Sequence, residues 1–116
     1  MTQTDTRLDV RRASETAAVI GIRGELTGAT EAPLMDAYSR ASDAMTRTVV
    51  LDFTELEYMN STGIGLLVTL LVRAQRQRQR ILAFGLSEHY REILSLTRLD
   101  EAIAVVGSEE EAVAAG

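Results

Sequence analysis

The chain has 116 residues, 46% of them hydrophobic, with one histidine, no cysteine and a formal net charge of -5 at pH 7. Such a length suits one globular domain with a single core. A net acidic domain is not drawn to nucleic acid or to an anionic membrane surface, and without cysteine there is no disulfide, thiolate metal site or cysteine nucleophile.

In chain order, residues 1–6 are polar and expected to fray. MTQTDTRLDV has no apolar leader core, and no run approaches the roughly 18 apolar residues of a membrane span, so a cytoplasmic chain without membrane insertion is expected. LDVRRA and AAVIGIRGE read as two strands around the polar break SET, the second ending at Gly24. In LTGATEAPLMDAYSRASDAM, Thr30 suits a helix N-cap and Pro33 falls in the first turn. Leu34, Ala37, Tyr38, Ala41 and Met45 then recur at helical spacing. TVVLDF is a strand of the kind buried on both faces of a parallel sheet, followed by the turn TELEYMN.

The next helix is predicted from near Ser61 to about Gln79. Its first half, IGLLVTLLV, is apolar almost all round and expected to be buried; its second half, RAQRQRQR, is polar and solvated. ILAFG is a strand, EHYREILSLTRL a helix, AIAVV a strand, and SEEEAVAAG a last helix with Ser108 as its cap. The fold class that follows is α/β: a single domain with a mixed, largely parallel sheet of about five strands flanked by about four helices.

Few residues invite chemistry. His89 has no second histidine or cysteine with which to share a metal, and reads as a surface or capping residue. Neither a P-loop nor a GxGxxG fingerprint occurs, so no cofactor is expected. Ser61, His89 and Asp52 make a hydrolase triad on paper, but Ser61 lacks the GxSxG context and His89 lies on another predicted helix. Arg73, Arg76, Arg78 and Arg80 complement a helix C-terminus, and Glu109, Glu110 and Glu111 a helix N-terminus, so neither run requires a ligand.

YMNSTGIGLL, residues 58–67, is less easily explained. A glycine inside a helix costs on the order of 1 kcal/mol relative to alanine, and Gly63 and Gly65 fall within one turn. A cap at Asn60 or Ser61, with glycines allowing close packing on the sheet, explains part of it. A helix start after a buried strand also offers free backbone N–H groups and a positive dipole end to a hydroxyl or a phosphate. With little side-chain bulk, and with Met59, Ile64 and Leu66 as apolar contacts, the same surface admits another protein.

At these residues the sequence resembles the STAS domain family, in particular the bacterial anti-sigma factor antagonists. Those proteins carry a GELD-type segment, VVLDLS before a DSSG-type turn and an apolar helix, an LTGLD-type segment and a C-terminal EEA helix. GELTGATEAPL, VVLDFTELEYMNSTGIGLL, ILAFGLSEHYREILSLTRLD and SEEEAVAA follow in the same order, covering nearly the whole chain from Leu8.

The resemblance implies that Ser61 is a regulatory phosphoacceptor, with Thr62 as the alternative hydroxyl. It implies as partner an anti-sigma factor serine kinase of the GHKL type, with a PP2C-type phosphatase reversing the modification, and no catalytic machinery on this chain. Partner binding is implied at Glu25, Thr27, Met59, Asn60, Ser61, Thr62, Gly63 and Ile64, and a bulky residue at Gly63 is expected to weaken the complex while sparing the fold. Two positions depart from the family pattern. Asn60 stands where the turn usually has aspartate, and Thr27 where an acidic residue follows GEL. Asn60 keeps a second function in view, a non-switching scaffold or transport-associated STAS protein that binds its partner constitutively.

Overall fold

The computed structural model describes residues 6–115. The fraying expected of residues 1–6 therefore falls outside the described residues, except at Thr6, whose hydroxyl donates to the Glu25 carbonyl at 2.8 Å. The chain runs through β1 (Arg7–Arg12), β2 (Ala17–Leu26), α1 (Glu31–Ala41), β3 (Thr48–Asp52) and β4 (Leu56–Met59). It continues through α2 (Ser61–Arg76), β5 (Arg80–Phe84), α3 (Glu88–Leu96), β6 (Ile103–Val105) and α4 (Glu109–Ala115).

The sheet is mixed and mostly parallel, in the order β1-β2-β3-β5-β6, with β4 attached separately to β2. Only β1 and β2 pair antiparallel, around the polar break at Ser14, whose hydroxyl accepts the N–H groups of Thr16 and Ala17. The α/β class is as expected, with six strands because the segment read as the turn TELEYMN contains β4. β2 runs on past Gly24 to Leu26; Gly24 takes a positive φ of 88°, and the pairing with β4 shifts register beside it. That kink aims the last residues of β2 away from β3 and toward β4.

Side-chain alternation divides the sheet into two faces. Ile20, Leu51 and Ala83 lie in one row of the ladder and join the main core under α1, α2 and α3. Val19, Val50 and Leu82 form the neighbouring row on the opposite face, where they join a smaller cluster with Phe84 and Ala112 of α4. Ser108 caps α4 as predicted, accepting the Glu111 N–H at 3.1 Å, and Glu109 ties the helix to β1 through Arg11.

Four helical expectations are corrected. Met45 lies beyond the end of α1 and is 57% exposed, because the chain leaves the helix at Ser42 and turns toward β3. Thr30 precedes α1 but makes no side-chain bond to it; its hydroxyl donates to the Thr27 carbonyl instead. α2 ends at Arg76, and Gln79 turns inward, bridging the Tyr38 hydroxyl and Ser42. Its first half is buried on one side only: Leu66, Leu67, Leu70 and Leu71 pack inward, while Val68 and Val72 are about two-fifths exposed. A single layer of sheet cannot cover all sides of a helix, so an all-round apolar sequence leaves an apolar outer stripe.

That one-sidedness is measurable. Leu70→Ala should lower the urea-denaturation free energy by about 2–5 kcal/mol through cavity formation. Val68→Ala, on the outer face two residues away, should change it by no more than about 0.5 kcal/mol.

Candidate functional site

β2 and β4 end side by side, Leu26 paired with Met59, and both chains then turn. The β2 chain enters a short 3-10 turn at Gly28–Thr30, closed by reciprocal bonds: the Thr27 N–H donates to the Thr30 hydroxyl, and the Ala29 N–H to the Thr27 hydroxyl. The β4 chain passes through extended Asn60 directly into α2. Asn60 is the N-cap, its side-chain oxygen accepting the Gly63 N–H at 2.9 Å and the Thr62 hydroxyl at 2.7 Å. The Thr62 oxygen in turn accepts the Gly28 N–H at 2.9 Å, so the two turns are stitched together by one hydroxyl.

Ser61 differs from its neighbour. It is exposed at the first position of α2, and among the described residues its hydroxyl has no hydrogen-bond partner. The backbone N–H groups of Ser61 and Thr62 belong to the first helical turn, where no intrahelical acceptor exists. α1, α3 and α4 each place acidic side chains in their first turn, and α2 has none. The positive end of its dipole is therefore not offset by a carboxylate, which favours an anion carried on Ser61.

The glycines separate into two roles. A Cβ on Gly63 would stand 2.0 Å from the Leu26 carbonyl oxygen and 3.1 Å from Cγ of Met59, so Gly63 is buried in a backbone contact that no side chain permits. This corrects two expectations: Gly63 offers no surface to a partner, and a bulky residue there would disrupt the fold. Gly65 is exposed, with open space around its missing Cβ.

Of the other residues assigned to the site, Glu25 and Thr27 are half-buried at the end of β2, and Asn60 and Ile64 are half-buried around the cap. Met59 and Leu66 are buried, at 4% and 6% exposure, and belong to the core instead of an apolar rim. The exposed large apolar groups on β4 and α2 are Tyr58, Val68 and Val72. The last two were legible in the sequence: Ser61, Gly65, Val68 and Val72 recur at the four- and three-residue steps of one helical face.

No triad forms. Asp52 accepts the N–H and hydroxyl of Thr54, His89 sits edge-on against Tyr90 on α3, and Ser61 bonds to neither Asp52 nor His89. Among the described residues there is no group of three or more metal-ligating side chains, and no helix is long and apolar enough to cross a membrane. A groove of about 650 Å³ lies beside α3, lined by residues including Arg91, Ser95 and Val105, and does not include Ser61.

Residues 10–107 match the protein family described as "Mlab, STAS domain". The anti-sigma-B factor antagonists of Listeria monocytogenes and Listeria innocua are each 31% identical to this chain over 61 residues, 53% of this chain and 54% of the relative. The chain thus spans about half the length of these curated relatives. Among solved structures, an anti-sigma factor antagonist from Mycobacterium paratuberculosis superposes with a TM-score of 0.82 at 18% identity, over 98% of this chain and 96% of that one. The Bacillus cell fate determinant SpoIIAA in its phosphorylated form gives 0.67 at 20% identity, over 93% and 97%. At such identities these structures establish a shared fold.

The two glycines should respond oppositely to the same small change. Gly63→Ala should destabilise the domain by about 1–3 kcal/mol, as overpacking does, whereas Gly65→Ala should stabilise it by about 0.5–1 kcal/mol. Denaturant titration of the two variants checks both signs.

Proposed function

This chain belongs to the STAS domain family, and we propose that it acts there as an anti-sigma factor antagonist that binds an anti-sigma factor serine kinase of the GHKL type and is released by phosphorylation of Ser61. The observation that carries this reading is the contrast between two adjacent hydroxyls. Thr62 both donates to Asn60 and accepts from Gly28, whereas Ser61 is exposed and unbonded. Phosphate on Thr62 would break the stitch between the two turns; phosphate on Ser61 breaks nothing. The names of the Listeria relatives and the phosphorylated form of SpoIIAA support the same reading.

The partner would approach over the Ser61 turn, the outer stripe of α2 at Gly65, Val68 and Val72, and the exposed Gly28 and Ala29, with Glu25 and Thr27 at the margin. The nucleotide belongs to the partner, and a PP2C-type phosphatase restores the unmodified serine. Asn60 performs the cap that an aspartate would perform, with one oxygen accepting both bonds. It brings no negative charge, so a phosphate on Ser61 meets less repulsion within its own domain than it would beside an aspartate.

A phosphoserine carries roughly -1.5 to -2 charges at neutral pH. On the free domain that charge lies at the positive end of α2. Against a kinase site already holding the phosphates of a nucleotide, it is desolvated beside like charge at a cost of several kcal/mol. Phosphorylation therefore dissociates the pair without unfolding either protein.

Incubation with ATP and GHKL-type serine kinases, followed by intact mass and peptide mapping, should place one phosphate on Ser61. Phosphorylation, or Ser61→Asp as a weaker mimic, should reduce affinity at least about tenfold, near 1.4 kcal/mol, with the circular dichroism spectrum unchanged. Ser61→Ala should bind and resist release by ATP. Modification of Thr62 would refute the site assignment. An intact complex with both hydroxyls unmodified would identify a constitutive scaffold, the role that Asn60 keeps in view.

The nucleotide assignment is tested separately. Calorimetry on the isolated domain should detect neither stoichiometric ATP binding nor tight binding of a divalent ion.

A further inference from the structure

Among the described residues β4 is bonded into the sheet on one edge only, to the kinked end of β2. The bond nearest the switch on that edge, from the Asn60 N–H to the Leu26 carbonyl, is 3.4 Å long and therefore weak. The Met59 N–H faces the other edge, and its acceptor is the phenol oxygen of Tyr90 at 2.8 Å. Tyr90 lies 31 residues further along the chain, on α3, half-buried and packed against the main core. Ser87 caps α3, its hydroxyl accepting the Tyr90 N–H at 3.3 Å. Met59 is buried and stands two residues before Ser61, so of the two backbone N–H bonds on β4 next to the switch the shorter comes from α3 and not from the sheet.

We propose that Tyr90 is a positioning residue for the Ser61 switch: its phenol oxygen holds the Met59 N–H and keeps the turn in the one geometry in which the Ser61 hydroxyl stands clear of the domain. The proposal rests on the assignment of Ser61 as phosphoacceptor. Without the phenol oxygen, the outer edge of β4 has no acceptor for Met59 among the described residues. On the sheet side the turn is then left to the long bond from the Asn60 N–H, beside the Asn60 cap, the Gly63 contact and the Thr62 stitch. A turn that must be ordered when the partner binds loses affinity through that ordering, while chemistry on the bound serine proceeds as before. The effect belongs in KM, with little change in kcat.

Tyr90→Phe removes one oxygen and preserves the ring. In the isolated protein, hydrogen exchange at the Met59 amide should accelerate at least about tenfold more than at core amides of β3 and β5, as selective local opening requires. Backbone order parameters at residues 59–62 should fall. Leu94→Val, a core change on the same helix, should accelerate exchange in proportion to global stability, with no excess at Met59. With a GHKL-type serine kinase that phosphorylates the unaltered protein, Tyr90→Phe should raise KM at least about fivefold and leave kcat within about twofold, the signature of lost preorganisation. Equal Met59 exchange in Tyr90→Phe and the unaltered chain would overturn the proposal. So would an equal excess in Leu94→Val, or an unchanged KM. If no kinase modifies the unaltered protein, the phosphorylation switch fails, and exchange with relaxation still decides whether Tyr90 holds the turn.

Discussion

The contact between the Leu26 carbonyl and the bare α carbon of Gly63 sets the geometry on which the site depends. An added Cβ would stand 2.0 Å from that oxygen, so the first turn of α2 rests on the backbone of β2 at a separation open only to glycine. From that approach the other parts follow. Asn60 is brought beside Leu26 and caps the helix, Thr62 comes within reach of Gly28, and Ser61, two residues before Gly63 in the same turn, faces outward. The entropic cost of a glycine within a helix is offset by a close approach that joins two chain segments about 35 residues apart.

The electrostatics of the site are those of the backbone more than of side chains. A strand followed immediately by a helix leaves free N–H groups at a positive dipole end, and here neither the cap nor the first turn adds a carboxylate. A phosphate gains from that end without displacing an existing charge. The outer face of α2 below it is apolar at Val68 and Val72, and the exposed Arg76 follows one turn on along the same face. That face presents a hydroxyl, a bare glycine and two valines in line.

The opposite ends of the domain show how thinly the second face of the sheet is covered. α4 places only Ala112 over Val19, Val50, Leu82 and Phe84, and is held by Arg11 through Glu109 and by Arg80 through the Ala115 carbonyl at 2.8 Å. The main core lies on the other side, under α1, α2 and α3. Ser61 is therefore carried by the better-packed layer of the molecule, which lets a charge appear there while the fold persists.

The sequence by itself determined the class and order of the elements, since hydrophobic period and cap chemistry are local properties. TVVLDF and ILAFG had to be buried strands, Ser108 and Asn60 lie where helices begin, and YMNSTGIGLL was recognisable as a helix start with unexplained small residues. Tertiary structure alone decided which small residue served which purpose. Gly63 and Gly65 are indistinguishable in sequence, yet one is pressed against Leu26 and the other faces open space. Ser61 and Thr62 are alike in sequence, yet the Thr62 oxygen holds the Gly28 N–H while Ser61 is exposed. Met59 and Leu66 read as a rim and lie in the core, while Tyr90 gives no local sign of reaching Met59. Periodicity tells a residue which side of its own element it occupies; which distant backbone comes to meet it is fixed only when the sheet and its helices pack.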